Sequence, residues 1–286
     1  MKTYEVLCRV VLATTLALLV PLNPPPCAAG EVTFRNAAGE SFTLAQMLPR
    51  LRAAQFLILG EVHGSYRHHA VQIEVLRLLG NAGVPLAVGM ETFSAAVTPE
   101  LARWTSGTLD SEPLYRLFET EWSLSNWPAY RDLLYFLRER RIPLQGINAE
   151  EALIQRVASG GIASLSEAER RGLPPGGCTV DQRYRDLLER AVGGGEAHNG
   201  RFRAFCEAQT LRDAIMARNL DALGRENPGR LVVGMTGLYH AWKPAVPARL
   251  AQLGTGRTVV ILPEEGPPRT VDELRSEVDY LWQWRD

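Results

Sequence analysis

Three short apolar runs constrain the fold of this chain most strongly, because each stops at a glycine and polar residues follow soon after. The runs are residues 56–59, 86–88 and 231–233. Short apolar runs of this kind are typical of strands that are buried on both faces of a parallel sheet. The segments between them have helical periodicity. The sequence therefore predicts an α/β fold with a mostly parallel sheet flanked by helices.

Four polar side chains follow these strand-like runs. Glu61 and His63 come after the first run, Glu91 after the second, and His240 after the third. The two histidines end matching Gly-x-x-His units that begin at residues 60 and 237. Ligands of open α/β sheets bind at the carboxyl ends of the strands. We therefore expect the four side chains to surround one cavity.

Three interpretations of this cluster remain open. Imidazole nitrogens and carboxylate oxygens suit a divalent metal such as zinc, manganese or iron(II). The same groups can hydrolyse a substrate without metal, with His63 as general base. In the third interpretation they only tie loops together in a structural or partner-binding protein. His68 and His69 begin the helix that follows, and one of them is expected to turn toward the crevice.

The first 29 residues are predicted to be a secretory signal peptide, and residues 30–286 to be one α/β domain. The leader has a cationic start, an apolar core at 10–22 and small residues at 27–29. Acylation of Cys27, with membrane association through the lipid, is an alternative, although the prolines at 24–26 match a lipidation signal poorly. We expect an exported protein that is periplasmic or associated with the outer membrane.

A region rich in glycine and proline, at about residues 150–200, interrupts the alternation of strands and helices. Its short helical pieces predict a helical cap insertion over the carboxyl ends of the strands. A long helix follows and carries Gln209, Asp213 and Met216 on one face, which either lines the crevice or is a solvated stripe.

Charge and cysteine content limit the environment and the partners. The net charge of −1 gives no global field for binding nucleic acid, so we expect no nucleic-acid partner. In an exported chain Cys178 and Cys206 either form a disulfide or remain two buried free thiols.

The order of several motifs resembles the ChaN family. These motifs span about residues 56–284 and comprise Gly-Glu-x-His followed by His68, His69 and Gln72, then Gly89-Met90-Glu91, the segments 127–130 and 142–148, then Gln209, Asp213 and Met216, and the final Gly-x-x-His. The resemblance implies an exported haem-binding protein, often a lipoprotein, that acts in iron uptake. The same superfamily contains Tiki proteins, TraB proteins and erythromycin esterases.

The resemblance also implies a homodimer that holds two haems face to face, with a tyrosine on each iron. Tyrosinate is a suitable ligand because it is a hard anionic oxygen donor. Tyr184, with His198 downstream, best matches the family's cap pattern, and Gln209 and Asp213 are expected in the same haem site. The rival tyrosines are Tyr66, Tyr130 and Tyr239.

This chain departs from the family pattern at Leu238 and Tyr239, where small residues are expected. Either the crevice is narrower here or Tyr239 is itself a ligand. The enzymatic relatives use paired Gly-x-x-His motifs and glutamates for hydrolysis, and both motifs are present. A hydrolase is therefore the alternative function.

Overall fold

An eight-stranded sheet organises the computed structural model, which describes residues 31–175, 177–191, 200–265 and 269–285. The predicted signal peptide, including Cys27, lies outside the described residues. The strands are β1 (Glu31–Asn36), β2 (Ser41–Thr43), β3 (Phe56–Glu61), β4 (Leu86–Ser94), β5 (Leu144–Asn148), β6 (Leu231–Gly237), β7 (Thr258–Pro263) and β8 (Tyr280–Arg285).

The strands lie in the order β2-β1-β8-β7-β3-β6-β4-β5. All neighbours from β8 to β5 pair in parallel. At the other edge β1 pairs antiparallel with both β2 and β8. The predicted α/β fold with a mostly parallel sheet is confirmed. The sequence did not predict β8, which lies between the parallel strands and the edge hairpin.

Helices connect the strands. In chain order they are α1 (Leu44–Arg52), α2 (Tyr66–Asn81), α3 (Thr98–Ser106), α4 (Ser111–Glu121), α5 (Trp127–Glu139), α6 (Glu151–Gly160), α7 (Glu167–Arg171), α8 (Gln182–Ala191), α9 (Gly200–Glu226), α10 (Leu238–Ala241), α11 (Val246–Gln252) and α12 (Val271–Glu277). None of the helices in the described ranges has both the length and the apolar character that a bilayer span requires.

Alternating side chains of the central strand β3 enter two different core layers. Leu57 and Leu59 pack with the layer that contains α2 and α5, whereas Phe56 and Ile58 pack with the layer that contains α9. This alternation follows from the period of two residues along a strand. Both faces of the sheet are therefore covered, which is why the strand sequences are almost continuously apolar.

The carboxyl ends of the central strands are aligned by their register. Glu61, the last residue of β3, pairs with Gly237, the last residue of β6. Strand β4 pairs with β6 on its other side, with Met90 opposite Met235. The residues that follow these pairs therefore emerge at the same edge of the sheet.

Three short helices, α6 to α8, occupy the described part of the region predicted to form a cap. Ile154 and Val157 of α6 pack against Ala208 and Leu211 of α9 in a small apolar cluster of their own. Their helical character matches the sequence pattern. That they cover the carboxyl ends as a cap stays a prediction.

Cys178 and Cys206 form a disulfide across 28 residues of chain, which joins the segment before α8 to α9. Of the two alternatives left open by the sequence, the structure has the disulfide. Closing a loop of this length stabilises a fold chiefly by restricting the unfolded chain.

We expect replacement of both cysteines by serine to lower the free energy of unfolding by about 3 kcal/mol. Urea unfolding at neutral pH measures the change, and wild-type protein treated with a reductant provides the control. Equal stabilities of the oxidised and reduced wild-type protein would contradict this expectation.

Candidate functional site

The structure brings Glu61, His63, Glu91 and His240 together at the carboxyl edge of β3, β4 and β6. Glu61 is the last residue of β3, Glu91 lies in the carboxyl-terminal half of β4, and His240 lies in α10 directly after β6. Three of the four are buried, whereas the side chain of His63 is 33% exposed. The predicted proximity is thus present, while their functional roles stay predictions.

Glu61 is the centre of the first half of the site. Its Oε1 accepts a hydrogen bond from the hydroxyl of Tyr130 and lies 3.1 Å from His63 Nδ1. Its Oε2 accepts from Gln72 Nε2 at 2.8 Å and lies 3.5 Å from His69 Nδ1. Burial alone would raise the pKa of Glu61, but the hydrogen bond from His63 and the nearby imidazoles lower it to about 2. Glu61 is therefore a carboxylate at neutral pH.

Asp213 is the centre of the second half. It is fully buried on α9, where Oδ1 lies 2.6 Å from His240 Nδ1 and Oδ2 accepts from the Tyr184 hydroxyl at 2.5 Å. Burial raises the pKa of Tyr184 well above its usual value, and the charge of Asp213 raises it further. The Tyr184 hydroxyl therefore stays protonated and donates a hydrogen bond to the carboxylate of Asp213.

Glu91 lies between the two halves. Its Oε2 accepts from the Gly237 amide at 2.7 Å, and its Oε1 lies 3.6 Å from His240 Nε2. A methyl group on Gly237 would lie 2.7 Å from His63 Nε2 and 3.6 Å from Glu91 Oε2, so this imidazole also packs close to Glu91. Both histidines thus place Nδ1 on a carboxylate, and the charge of Glu91 acts on both imidazoles.

The carboxylates hold both imidazoles toward the protonated form. Burial lowers the pKa of His63, but the hydrogen bond to Glu61 and the charge of Glu91 outweigh it and raise the pKa above its usual value. Burial also lowers the pKa of His240, and Glu91 together with the bond to Asp213 raises it overall. Arg212 opposes the rise at both histidines. Each histidine therefore accepts a proton more readily than a free imidazole does.

A polar cleft of about 660 Å³ opens beside His63. The Trp122 ring meets the imidazole edge-on at 4.9 Å between centroids. The polar side chains that line it include Thr92 of β4, Glu121 of α4, Asn148 of β5 and Arg212 of α9. His63 is thus the member of the network that a small molecule in this cleft can reach.

The prediction of a divalent metal at Glu61, His63, Glu91 and His240 is not supported. Among the described residues no group of three or more His, Cys, Asp or Glu side chains is arranged to hold a metal ion. One physical reason is that several of the potential ligand atoms are already engaged. Tyr130 and Gln72 occupy the oxygens of Glu61, the Gly237 amide occupies Glu91, and Asp213 occupies His240.

We expect Gly237→Ala to displace the His63 ring, because the new methyl group would overlap Nε2. Moving the ring away from Glu61 and Glu91 should bring the raised pKa of His63 back toward its ordinary value. An NMR titration of the imidazole measures this. Gly80→Ala in α2 is the matched control, since nothing lies within 4 Å of its added Cβ. An unchanged His63 titration in Gly237→Ala would contradict the packing described.

Acidification should destabilise the protein through Glu61. Its pKa is about 2 in the folded state and 4.5 for the free side chain. The carboxylate therefore stabilises the fold fully above the pKa of the unfolded state, and this stabilisation is lost as the pH falls toward the pKa of the folded state. We expect a loss of about 3 kcal/mol between about pH 5 and pH 2. Urea unfolding across this range should show it, and Glu61→Gln should remove it. Equal pH dependence in both proteins would exclude Glu61 as its source.

Comparison with known proteins assigns the chain to a family. A family model described as haem-binding uptake, Tiki superfamily, ChaN matches residues 47–250, which is most of the chain and includes all four clustered residues. The chain belongs to the ChaN family. The resemblance drawn from the sequence motifs is thereby confirmed. No curated protein matches the sequence.

Two solved structures are similar to this ChaN family member to different degrees. The structure entitled "Cofacial heme binding to ChaN of Campylobacter jejuni" has a TM-score of 0.71 at 16% identity and covers 90% of this chain and 98% of that one. An erythromycin esterase mutant in its open conformation has a TM-score of 0.46 at 15% identity, covering 88% of this chain and 83% of that one. At 16% identity the likeness to the Campylobacter jejuni ChaN shows the fold alone.

The residues that the ChaN resemblance assigned to haem lie in different environments. Tyr184 is 1% exposed, and its hydroxyl is bonded to Asp213, which is itself fully buried. Gln209 is half-buried on α9. His198 lies outside the described residues. The rival Tyr130 is buried against Glu61, whereas Tyr66 and Tyr239 are exposed.

Sequence reasoning missed several members of the site. Tyr130 was considered only as a haem ligand, although it is a direct partner of Glu61. Arg212 and Trp122, which border the cleft, were not identified. Arg212 directly precedes Asp213 on α9, and this adjacency was the signal that the sequence offered for Arg212.

Proposed function

We propose that this chain binds haem on the exposed surface that follows β3 and β6, and that it acts in haem or iron uptake. One observation carries the proposal. Of the six large hydrophobic side chains that the described residues leave exposed, three follow these adjacent strands: Val62, Tyr66 and Tyr239. A porphyrin needs a broad apolar surface with an oxygen or nitrogen ligand for its iron, and this edge offers both.

Tyr239 is the iron ligand that best fits this surface. It is 50% exposed in α10, two residues after the Gly237 that pairs with Glu61. The two buried tyrosines fit less well, because Tyr184 and Tyr130 donate their hydroxyls to carboxylates. Burial, followed by the charge of the neighbouring carboxylate, raises the pKa of both. A raised pKa opposes the tyrosinate form that iron requires.

Two copies of the chain are proposed to enclose the haem. The surface with the three exposed side chains covers only one face of a porphyrin. The other face would stack on a second haem, which a second copy of the chain holds. Cofacial haem binding in the ChaN of Campylobacter jejuni supports this arrangement. Export of the chain is proposed as well, and the disulfide between Cys178 and Cys206 supports it, because disulfides persist in oxidising compartments.

Titration of the protein lacking residues 1–29 with hemin tests the haem proposal. We expect a shifted Soret band that saturates at one haem per chain, and sedimentation should change from monomer to dimer as haem is added. Absence of a Soret shift at stoichiometric hemin would reject haem binding. A shift without dimer formation would reject only the shared enclosure of two haems.

A second candidate function is hydrolysis by acid–base chemistry at His63, Glu61, Glu91 and His240. The observation that favours it is the shared arrangement of the two imidazoles, each with Nδ1 on a carboxylate and each under the influence of the Glu91 charge. An imidazole held in this way is suited to take a proton from water at the atom that remains free. The cleft beside His63 would admit the substrate.

A panel of ester and amide substrates tests this candidate. Turnover that disappears in His63→Ala and persists in Tyr239→Phe would support hydrolysis separate from haem binding. Turnover that is equal in wild type and His63→Ala would reject it. Thr120→Ala, at an exposed residue that lines the same cleft, is the control for general disturbance of the cleft.

A further inference from the structure

A second cleft lies at the opposite end of the sheet from the histidines. It has a volume of about 860 Å³ and is bordered by the residues that lead into β3, β6 and β7. Three arginines line it: Arg52, Arg230 and Arg257. Its lining includes no aspartate or glutamate.

The fold explains why these arginines meet. Arg230 and Arg257 directly precede β6 and β7, and Arg52 ends α1 shortly before β3. Strand β3 lies between β6 and β7 in the sheet, so the three arginines approach one point at its amino edge. Gln55 marks that point. Its backbone N–H donates to the backbone carbonyl of Arg257 at 2.8 Å, and its backbone carbonyl accepts from the N–H of Val232.

Two of the three guanidinium groups are anchored to backbone carbonyls, and none is neutralised by a carboxylate of the described residues. Arg230 Nη1 donates to the Leu86 carbonyl at 3.1 Å, and Arg52 donates to the Ala82 carbonyl. These bonds use one of the five N–H groups that each guanidinium carries. Within the part of the chain that the structure describes, none of the three arginines pairs with a carboxylate. In a chain of net charge −1, three unneutralised guanidiniums in one cleft are a local concentration of positive charge.

We propose that this cleft binds a phosphate group. Guanidinium forks match the oxygens of phosphate, and charge-assisted bonds of this type are about twice as strong as neutral ones. Three positive charges favour a group with more than one negative charge or with several anionic oxygens. The cleft has room for a phosphate that carries a further substituent, either a soluble diphosphate or the head group of an anionic phospholipid. This site is independent of the proposed haem surface.

Calorimetric titration with inorganic pyrophosphate, and co-sedimentation with phosphatidylglycerol or phosphatidylcholine vesicles, test the proposal on the purified protein. We expect binding that weakens as salt is added. The double variant Arg230→Gln/Arg257→Gln should bind at least about tenfold more weakly, because it loses two charge-assisted partners. Arg103→Gln, an exposed arginine on α3, is the matched control and should bind as the wild type does.

The two probes separate the sources of the phosphate. Binding of pyrophosphate with no preference for phosphatidylglycerol supports a soluble ligand, and the reverse supports a lipid head group. Failure of the wild-type protein to bind either probe would overturn the proposal. Equal binding by the double variant and the wild type would overturn it as well. Hemin binding by the double variant reports separately that the protein is folded and that the haem surface is intact.

Discussion

Asp213→Ala is expected to lower the free energy of unfolding by about 3–5 kcal/mol. Asp213 is fully buried and is the shared partner of His240 and Tyr184, which are buried as well. The variant would leave an imidazole whose pKa is raised, and a phenol, with no acceptor in the protein interior. Removal of one member of a buried charge pair costs far more than loss of a surface interaction, because the remaining charge is not solvated.

Urea unfolding of Asp213→Ala at neutral pH measures this effect. Asp132→Ala is the matched control, because that carboxylate is exposed and pairs only with its neighbour Arg131. The control should stay within about 0.5 kcal/mol of the wild type. A loss below about 1 kcal/mol in Asp213→Ala would mean that the network between α8, α9 and α10 contributes little to the fold.

Tyr239→Phe should weaken hemin binding at least about tenfold. The substitution keeps the aromatic ring and therefore most of the apolar contact, but it removes the only atom of this side chain that can bond to iron. The absorption band that arises from charge transfer between tyrosinate and ferric iron should disappear at the same time. A hemin titration followed by absorption spectroscopy measures both changes.

Two variants control for the loss of a hydroxyl elsewhere. Tyr66→Phe removes a hydroxyl from the same proposed surface, and Tyr135→Phe removes one from an exposed position on α5. Both should bind hemin as the wild type does. If Tyr66→Phe loses the charge-transfer band and Tyr239→Phe retains it, the ligand assignment passes to Tyr66. If neither variant changes the spectrum, iron is bound by another residue.

The sequence was sufficient to predict the sheet and the convergence of Glu61, His63, Glu91 and His240. The reason is physical: a parallel sheet aligns the ends of its strands, so residues that follow buried strands must meet at one edge. The register of β3 with β6, which places Glu61 opposite Gly237, completes this alignment.

The partners of these four residues were not predictable in the same way. Tyr130 and Glu61 are 69 residues apart, and their contact depends on how α5 is rotated against the sheet. Hydrophobic periodicity identifies the buried face of a helix, but it does not say which polar atom on that face meets which carboxylate. The placement of Tyr184 against Asp213 depends in the same way on how α8 packs against α9.

The predicted metal site is not supported, for a related reason. Residue type alone made two imidazoles and two carboxylates a plausible set of ligands. The structure assigns their atoms to one another and to Tyr130, Gln72 and the Gly237 amide. A metal needs ligand atoms that point at one empty position, and this property is set by side-chain packing rather than by spacing in the sequence.

Crystals of the protein with hemin, with anomalous diffraction recorded at the iron absorption edge, give the most direct test of haem binding at the carboxyl edge of β3 and β6. We expect an iron peak within bonding distance of the Tyr239 hydroxyl, with the porphyrin over Val62 and a second iron on the facing copy. An iron peak in the polar cleft beside His63, or elsewhere on the molecule, would contradict it.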